Sequence, residues 1–271
     1  MASESSNETS RQWEALLSEG DAYHRNTDDP GELRRCSRMT RKLRFFLRQT
    51  GLRPPADVFE FGCGNGNQLI PLALAGYRCT GVDVSERALK NMTDSLAVLG
   101  KMLGRKLFIE AVHADFINCR PEGLFDLVFH VGVLEHFLDT HTRHSYLLHM
   151  FDLARPGGHV VHAVPNGVHP LRALQRSQRW SYEVPEMDYS VESLAEELVS
   201  CGGQEVRVFP WNMYGYELIR PQVPIWRKMR YYAWQLLPFE WLPRRLSSVE
   251  GYWLAGFARK AFPHGASAAC E

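Results

Sequence analysis

The 271-residue sequence predicts an α/β fold, a mostly parallel sheet of seven strands with helices on both faces. Three observations carry this expectation. From residue 56 onward, short β-rich apolar runs alternate with stretches of helical pattern. The run Ala56 to Phe61, broken by Asp57 and Glu60, leads into glycines at 62, 64 and 66 and then into a helix start at Asn67–Leu74. The composition, 45% hydrophobic and 23% charged, is that of an ordinary globular chain, long enough for one sizeable core with insertions.

The elements follow in order. Residues 1–10 are rich in Ser, Glu and Asn and read as a disordered tail. Residues 11–54 read as two N-terminal helices, the second with Leu33, Met39, Leu43, Phe46 and Leu47 on one side and a stop at Gly51. A domain from 55 to 260 follows. Its strands are expected near 56–61, 78–83, 107–113, 125–131, 158–164, 204–210 and 252–259, and its helices near 66–75, 85–98, 140–154 and 190–201. Two segments, 166–188 and 211–250, are too long for simple connections and read as lid insertions. Residues 261–271 read as a second disordered tail.

Strand, glycine turn and helix N-terminus make a nucleotide-type corner, because glycine lets backbone approach a ligand closely. The spacing separates ligands. A dinucleotide fingerprint requires a third glycine at position 67, which is Asn67 here. The pattern is Glu60-x-Gly62-x-Gly64-x-Gly66. An acid before the turn repels a pyrophosphate and suits a cationic ligand such as a sulfonium amino acid.

With those residues in place, the stretch resembles motif I of the class I S-adenosylmethionine-dependent methyltransferases, which have a Rossmann-like sheet. Further pieces agree in order: Gly81-Val82-Asp83-Val84-Ser85, His113-Ala114-Asp115-Phe116, Phe125 to His130 with Val133-Leu134-Glu135-His136, and the turn Arg155-Pro156-Gly157-Gly158. The resemblance covers about 55–165 well. It implies S-adenosyl-L-methionine as cofactor, with S-adenosyl-L-homocysteine as product. It implies cofactor contacts from Glu60, Gly62, Cys63, Gly64, Asn65, Asp83, Val84, Asp115, Phe116 and His130, with Asp83 on the ribose hydroxyls and Asp115 and Phe116 at adenine. It places His130, His136 and His169 as candidate bases, and Asn166, Trp211 and Tyr214 on the acceptor side.

Alternative chemistries have weaker signals. His141, His144 and His149 are spaced by three and five, not the four of a helical metal pair, so no metal site is expected. The six cysteines (36, 63, 79, 119, 201, 270) form no C-x-x-C pair, which points to free thiols and a cytoplasmic chain. Formal net charge is zero, and the fourth strand lacks the Asp/Asn-Pro-Pro-aromatic signature of nucleic-acid adenine methyltransferases, so no nucleic acid is expected. Eight basic residues without an acid between Leu33 and Pro55 read as a solvated helix face or an anion site. The aromatic and basic 211–250 segment suits a lipid- or glycan-linked acceptor, a peripheral membrane contact, or the packed interior of a lid. The expectation is methyl transfer to a small-molecule acceptor, O-methylation with a histidine base. N-methylation and a non-catalytic cofactor-binding subunit stand as alternatives, ahead of a nicotinamide oxidoreductase.

Overall fold

The computed structural model describes residues 11–12, 43–169, 172, 184–211, 224–226, 229 and 251–262. Both expected tails, save 261–262, lie outside these, as do all of 13–42, Tyr214 and most of the two insertions.

Seven strands form one sheet: β1 Asp57–Phe61, β2 Arg78–Asp83, β3 Ile109–His113, β4 Phe125–Val131, β5 Ala154–Pro165, β6 Gln204–Trp211 and β7 Trp253–Arg259. Their spatial order is β3-β2-β1-β4-β5-β7-β6. The first five pair in parallel, and β7 runs antiparallel between β5 and β6. The order reverses direction between β1 and β4, and sheets of this kind bind ligands in the crevice outside the carboxyl ends at that reversal.

Strand alternation divides the side chains between two layers. On one face Val58, Cys79, Leu127, Phe129, Val161 and Phe257 pack against α1 (residues 43–50), α2 (Leu69–Leu74) and α3 (Glu86–Leu103). On the other, Phe59, Phe61, Val128 and Val160 pack against α4 (Thr140–Leu153) and α5 (Val191–Ser200). Buried side chains such as Met92 and Leu147 each contribute about 1.5–3 kcal/mol by leaving water.

Local chemistry sets the helix ends. Ser85 caps α3 by accepting from Ala88 N–H, and Gly104 closes it in the left-handed region at φ +62°. Asp139 caps α4 through Thr142 N–H, and Ser190 with Ser193 forms a capping box on α5. Two sequence boundaries shift. The helix expected from 66 starts at Leu69, because Gly66 sits at φ +69° and still belongs to the turn. β5 starts at Ala154 rather than 158: the Arg155-Pro156-Gly157-Gly158 stretch lies within the strand, next to a register shift between Phe125 and Leu127.

Candidate functional site

The site is built on the carboxyl ends of β1, β2 and β4. β1 stops where Gly62, Gly64 and Gly66 all take positive φ (+65°, +49° and +69°). Side chains are strained there, and space adds a second reason at Gly62, where a Cβ would stand 2.6 Å from Val133 Cγ2. At Gly64 nothing lies within 4 Å of a Cβ position. That side of the loop is an open cradle.

Asp83, the last residue of β2, holds this loop. Its Oδ2 accepts from Gly64 N–H at 2.7 Å and its Oδ1 from Ser85 N–H at 2.9 Å. Each oxygen keeps a second lone pair for a ligand hydroxyl. Burial raises the Asp83 carboxyl above its usual range despite these bonds. Glu60 faces the α2 and α3 layer under the loop. It is fully buried, its Oε2 has no hydrogen-bond partner, and burial together with the Asp83 charge pushes its carboxyl up. A half-buried carboxylate at an open glycine cradle, its charge already felt by the buried acid beneath, suits a cationic ligand. The amino and sulfonium groups of S-adenosylmethionine meet that requirement.

Other expected contacts divide. Gly62, Gly64, Asp83, Val84 and Asp115 are half-buried and line the strand ends. Cys63 turns its thiol inward, toward Gly81, so only its backbone is offered to a ligand. Asn65 is buried within the loop. Asp115 accepts from Tyr146 O–H at 2.8 Å and caps the turn Phe116–Asn118, which fixes its carboxylate at the end of β3.

Several assignments need correction. The Phe116 ring does not flank a ligand; it is 1% exposed and stacks on Phe61 at 4.3 Å, so no face of the ring is open. Trp211 does not face an acceptor. It is buried against Phe46, ring centroids 4.6 Å apart, because strand alternation turns it toward α1. Asn166 is fully buried and donates to Gly251 C=O at 2.8 Å, tying the end of β5 to the start of β7. His169 is buried beside Tyr252 and has no face open to the crevice. His130, expected against the cofactor, has no exposed surface and lies on the α4 and α5 face. Tyr214 lies outside the described residues.

His136 sits on a single 3₁₀ turn, Leu134–His136, just after β4. Its Nδ1 lies 3.1 Å from Pro185 C=O, which can only accept, so Nδ1 carries the proton and Nε2 the lone pair. Burial lowers the pKa of this ring, keeping it neutral. Its neighbour Glu135 is buried, with Oε2 lacking a partner and its carboxyl pushed well up by burial and by Glu186.

Sequence reasoning passed over Ala114, Val131, Gly132 and Val133, which are half-buried at the strand ends. The signal was their place directly after β3 and at the end of β4. Gly132, at φ +76°, would place a Cβ 2.8 Å from Trp253 Cη2 and 3.4 Å from Glu135 Oε1, so ring and acid both crowd this end of the crevice. No cluster of His, Cys, Asp and Glu among the described residues is arranged to hold a metal ion.

Comparison with known proteins agrees with this geometry. A family model described as "Methyltransferase domain" matches residues 31–198. The ubiquinone biosynthesis O-methyltransferase of Bordetella pertussis is 33% identical over 110 residues, 40% of this chain and 42% of that protein. The trans-aconitate 2-methyltransferase of Escherichia coli O157:H7 is 27% identical over 165 residues, 58% of this chain and 60% of that protein. The matches thus span less than two thirds of these relatives. In fold, the chain resembles magnesium protoporphyrin IX methyltransferase from Synechocystis PCC 6803, solved with bound S-adenosylhomocysteine, at a TM-score of 0.55 and 15% identity over 93% of each chain. The family match covers more than half the sequence, and the glycine cradle, paired acids and sheet order stand where a sulfonium cofactor needs them: the chain belongs to the methyltransferase domain family, whose methyl donor is S-adenosylmethionine.

Proposed function

We propose that this protein transfers the methyl group of S-adenosylmethionine to an oxygen of a small-molecule acceptor. The observation that carries the reading is the half-buried Asp83 carboxylate, which anchors the open Gly64 cradle and whose charge raises the buried Glu60 beneath it. Bound there, the cofactor supplies a methyl carbon activated by sulfonium. The chain's own residues hold it through Asp83 and the glycine loop, orient the acceptor over the ends of β4 and β5, and exclude water. Positioning of this kind supplies much of a displacement's rate. Charge is lost as the reaction proceeds, so a dry crevice favours it. An oxygen nucleophile also sheds a proton, and neutral buried histidines near β4 suit that task. The O-methyltransferase relative supports oxygen as the target.

Residues 166–188 and 211–250 are proposed as the acceptor cover. Support comes from 184–189, where Pro185 C=O receives His136, Met187 N–H donates to Glu135 C=O at 2.9 Å, and Tyr189 bridges to Asn166. This loop therefore roofs the turn after β4. The second insertion leaves the sheet at Trp211 and returns at Trp253, which are paired in register at the cofactor end. Within it Ile225, Trp226 and Met229 are exposed, and Arg227 and Lys228 stand between them in sequence. That mixture supports a lipid- or glycan-linked acceptor presented at a membrane surface. No helix among the described residues is long and apolar enough to cross a membrane.

The test is calorimetry followed by a screen. S-adenosylmethionine should bind the intact chain, and Asp83→Ala should weaken it by about 1.5–3 kcal/mol as a charge-assisted bond and the loop's anchor are lost. A metabolite extract incubated with methyl-labelled cofactor should then show label on an oxygen. Unchanged affinity in Asp83→Ala, or label on nitrogen alone, contradicts the reading.

A further inference from the structure

A chain of buried polar side chains runs from β4 to α5, and none of it is explained by packing. His130 Nε2 lies 2.6 Å from His162 Nδ1 across the parallel β4–β5 pair, where the two residues stand in register. His162 Nε2 lies 3.3 Å from Glu197 Oε2 on α5. Glu197 also accepts from Tyr189 O–H at 2.6 Å and from Arg143 Nε at 2.8 Å. Arg143 is fixed in turn by Phe137 C=O and Leu138 C=O at 2.7 and 2.9 Å. His130 and His162 have no exposed surface, and Glu197, Arg143 and Tyr189 are buried.

The partners dictate where the protons are. Burial alone would raise Glu197, but bonds from His162, Tyr189 and Arg143 outweigh it and hold the carboxyl at about 2, so it is ionised. A carboxylate only accepts, so His162 Nε2 carries a proton and, in the neutral ring, Nδ1 is a lone pair. That lone pair must receive a proton from His130 Nε2. His130 Nδ1 is then the lone pair left at the end of the chain, and it has no partner. A buried polar atom left unpaired costs about 1–3 kcal/mol, so its retention calls for a role. The ring lies one residue short of the end of β4, in register with Phe61, the last residue before the glycine turn. The turn Leu134–His136 packs over the same face through Leu134. The groups facing His130 are His162 from β5 and His136 from this turn, and both disfavour charge on His130 itself.

We propose that His130, His162 and Glu197 form a proton relay that takes the proton released by the acceptor at His130 Nδ1 and stores the charge on His162 against Glu197. This rests on the methyl-transfer reading above. The balance is complete. The acceptor oxygen bonds to the methyl carbon while the electron pair of the broken C–S bond stays on sulfur. The acceptor's proton passes to His130 Nδ1. His130 gives its Nε2 proton to His162 Nδ1, and His162 becomes an imidazolium beside the Glu197 carboxylate. His130 has no exposed surface, so the relay requires the turn Leu134–His136 to move aside for the acceptor to reach Nδ1. His162, Glu197, Tyr189 and Arg143 are positioning residues.

The test uses the full chain labelled with ¹⁵N-histidine, its ring signals assigned by their loss in His130→Gln and His162→Gln. At neutral pH both rings should show the neutral form protonated at Nε2. On acidification, the first proton should appear at His162. Glu197→Gln should lower the midpoint of that step by at least about one pH unit, since one unit corresponds to a 1.36 kcal/mol change in charge stabilisation. Tyr189→Phe keeps the Glu197 charge and removes a competing donor from its Oε2, so it should raise the midpoint, and serves if Glu197→Gln does not fold. In methyl transfer from the labelled cofactor to the extract, Tyr189→Phe should move the acid limb of the rate profile to higher pH and Glu197→Gln to lower pH. Glu197→Gln should also reduce the plateau by about 10²-fold, within the range of general-base effects. A proton on His130 Nδ1 in the resting protein, or an unshifted titration in these variants, overturns the relay. A lower plateau with an unmoved acid limb marks a structural network and overturns it too. Calorimetry on the same samples separates the two readings. Failure of the parent chain to bind S-adenosylmethionine removes the methyl-transfer reading, while the ring spectra still decide the tautomers.

Discussion

The two ends of the same sheet treat acidic residues in opposite ways. At the amino end, Asp57 opens β1, Arg78 opens β2, and Asp126 and Arg155 stand at the starts of β4 and β5. They form a closed network: Arg78 bonds both Asp57 oxygens at 2.5 and 2.8 Å, and Arg155 bridges Asp57 and Asp126 at 2.5 Å each. Asp126 also accepts from Asp57 N–H at 2.7 Å. The Arg78 bond, with help from Arg155, outweighs partial burial and holds Asp57 at about 2. At the carboxyl end, Glu60, Asp83 and Glu135 are all raised by burial, and Glu60 and Glu135 each keep an oxygen without a partner. One end satisfies its charges internally. The other leaves them for something that is not part of the chain. The lesson is that polar satisfaction, read strand end by strand end, separates the stabilising end from the binding end.

The comparison can be broken at several points. The largest effect is expected from Trp211→Ala. Although it stands at the binding end, this ring is core, so the loss should be about 3–5 kcal/mol of stability in urea unfolding. Full stability in that variant would return Trp211 to the acceptor side. Next comes Gly64→Val. The position has φ +49° and open space, so the branched side chain strains the loop and fills the cradle. Cofactor affinity in calorimetry should fall by at least about 100-fold, near 2.7 kcal/mol. Normal binding would move the site away from the glycine turn.

Asp57→Asn probes the other end. A depressed carboxyl stabilises the fold above its unfolded value of 3.8, and that contribution fades as pH falls toward 2. The variant should therefore lose about 1 kcal/mol at pH 7, the pairs being partly screened by solvent, and less at pH 3. Cofactor affinity should not change. Glu135→Gln should behave with the opposite sign. A raised carboxyl favours the fold fully only below its unfolded value of 4.5, and the benefit is lost as pH rises toward its folded value. Relative to the parent, the variant should gain stability steadily between pH 5 and pH 7, read as a change in thermal midpoint. A gain that does not grow with pH would mean that the Glu135 carboxyl is not held neutral.

The sheet was legible because its signals are local. Alternating apolar runs placed all seven strands, and β2 and β4 match the expected 78–83 and 125–131 at both ends. The glycine turn was legible because positive φ at 62, 64 and 66 leaves a compositional mark. The histidines and Trp211 were misplaced for one reason. Sequence order puts a residue at a strand end, but only side-chain parity and neighbouring layers decide whether it faces crevice or core. His130 and Asn166 occupy positions that the topology brings near the cofactor, yet both point into packed layers. Glu197 lay beyond sequence reading, since its link to His162 joins residues 35 apart with no motif between them.

The antiparallel β7 carries a consequence for synthesis. Among the described residues β6 pairs with β7 alone, and β7 fills the edge of β5 over seven register pairs from His159–Arg259 to Pro165–Trp253. While a ribosome is still making residues 212–252, β6 has no strand beside it and the edge of β5 stands open. Such an edge invites pairing with other chains. Non-local strand insertion of this kind is also slow. The sheet is therefore completed only when β7 enters between β5 and β6. A chain cut short within the second insertion would retain the glycine cradle yet present a sticky, unfinished sheet, making solubility rather than cofactor affinity the first property lost.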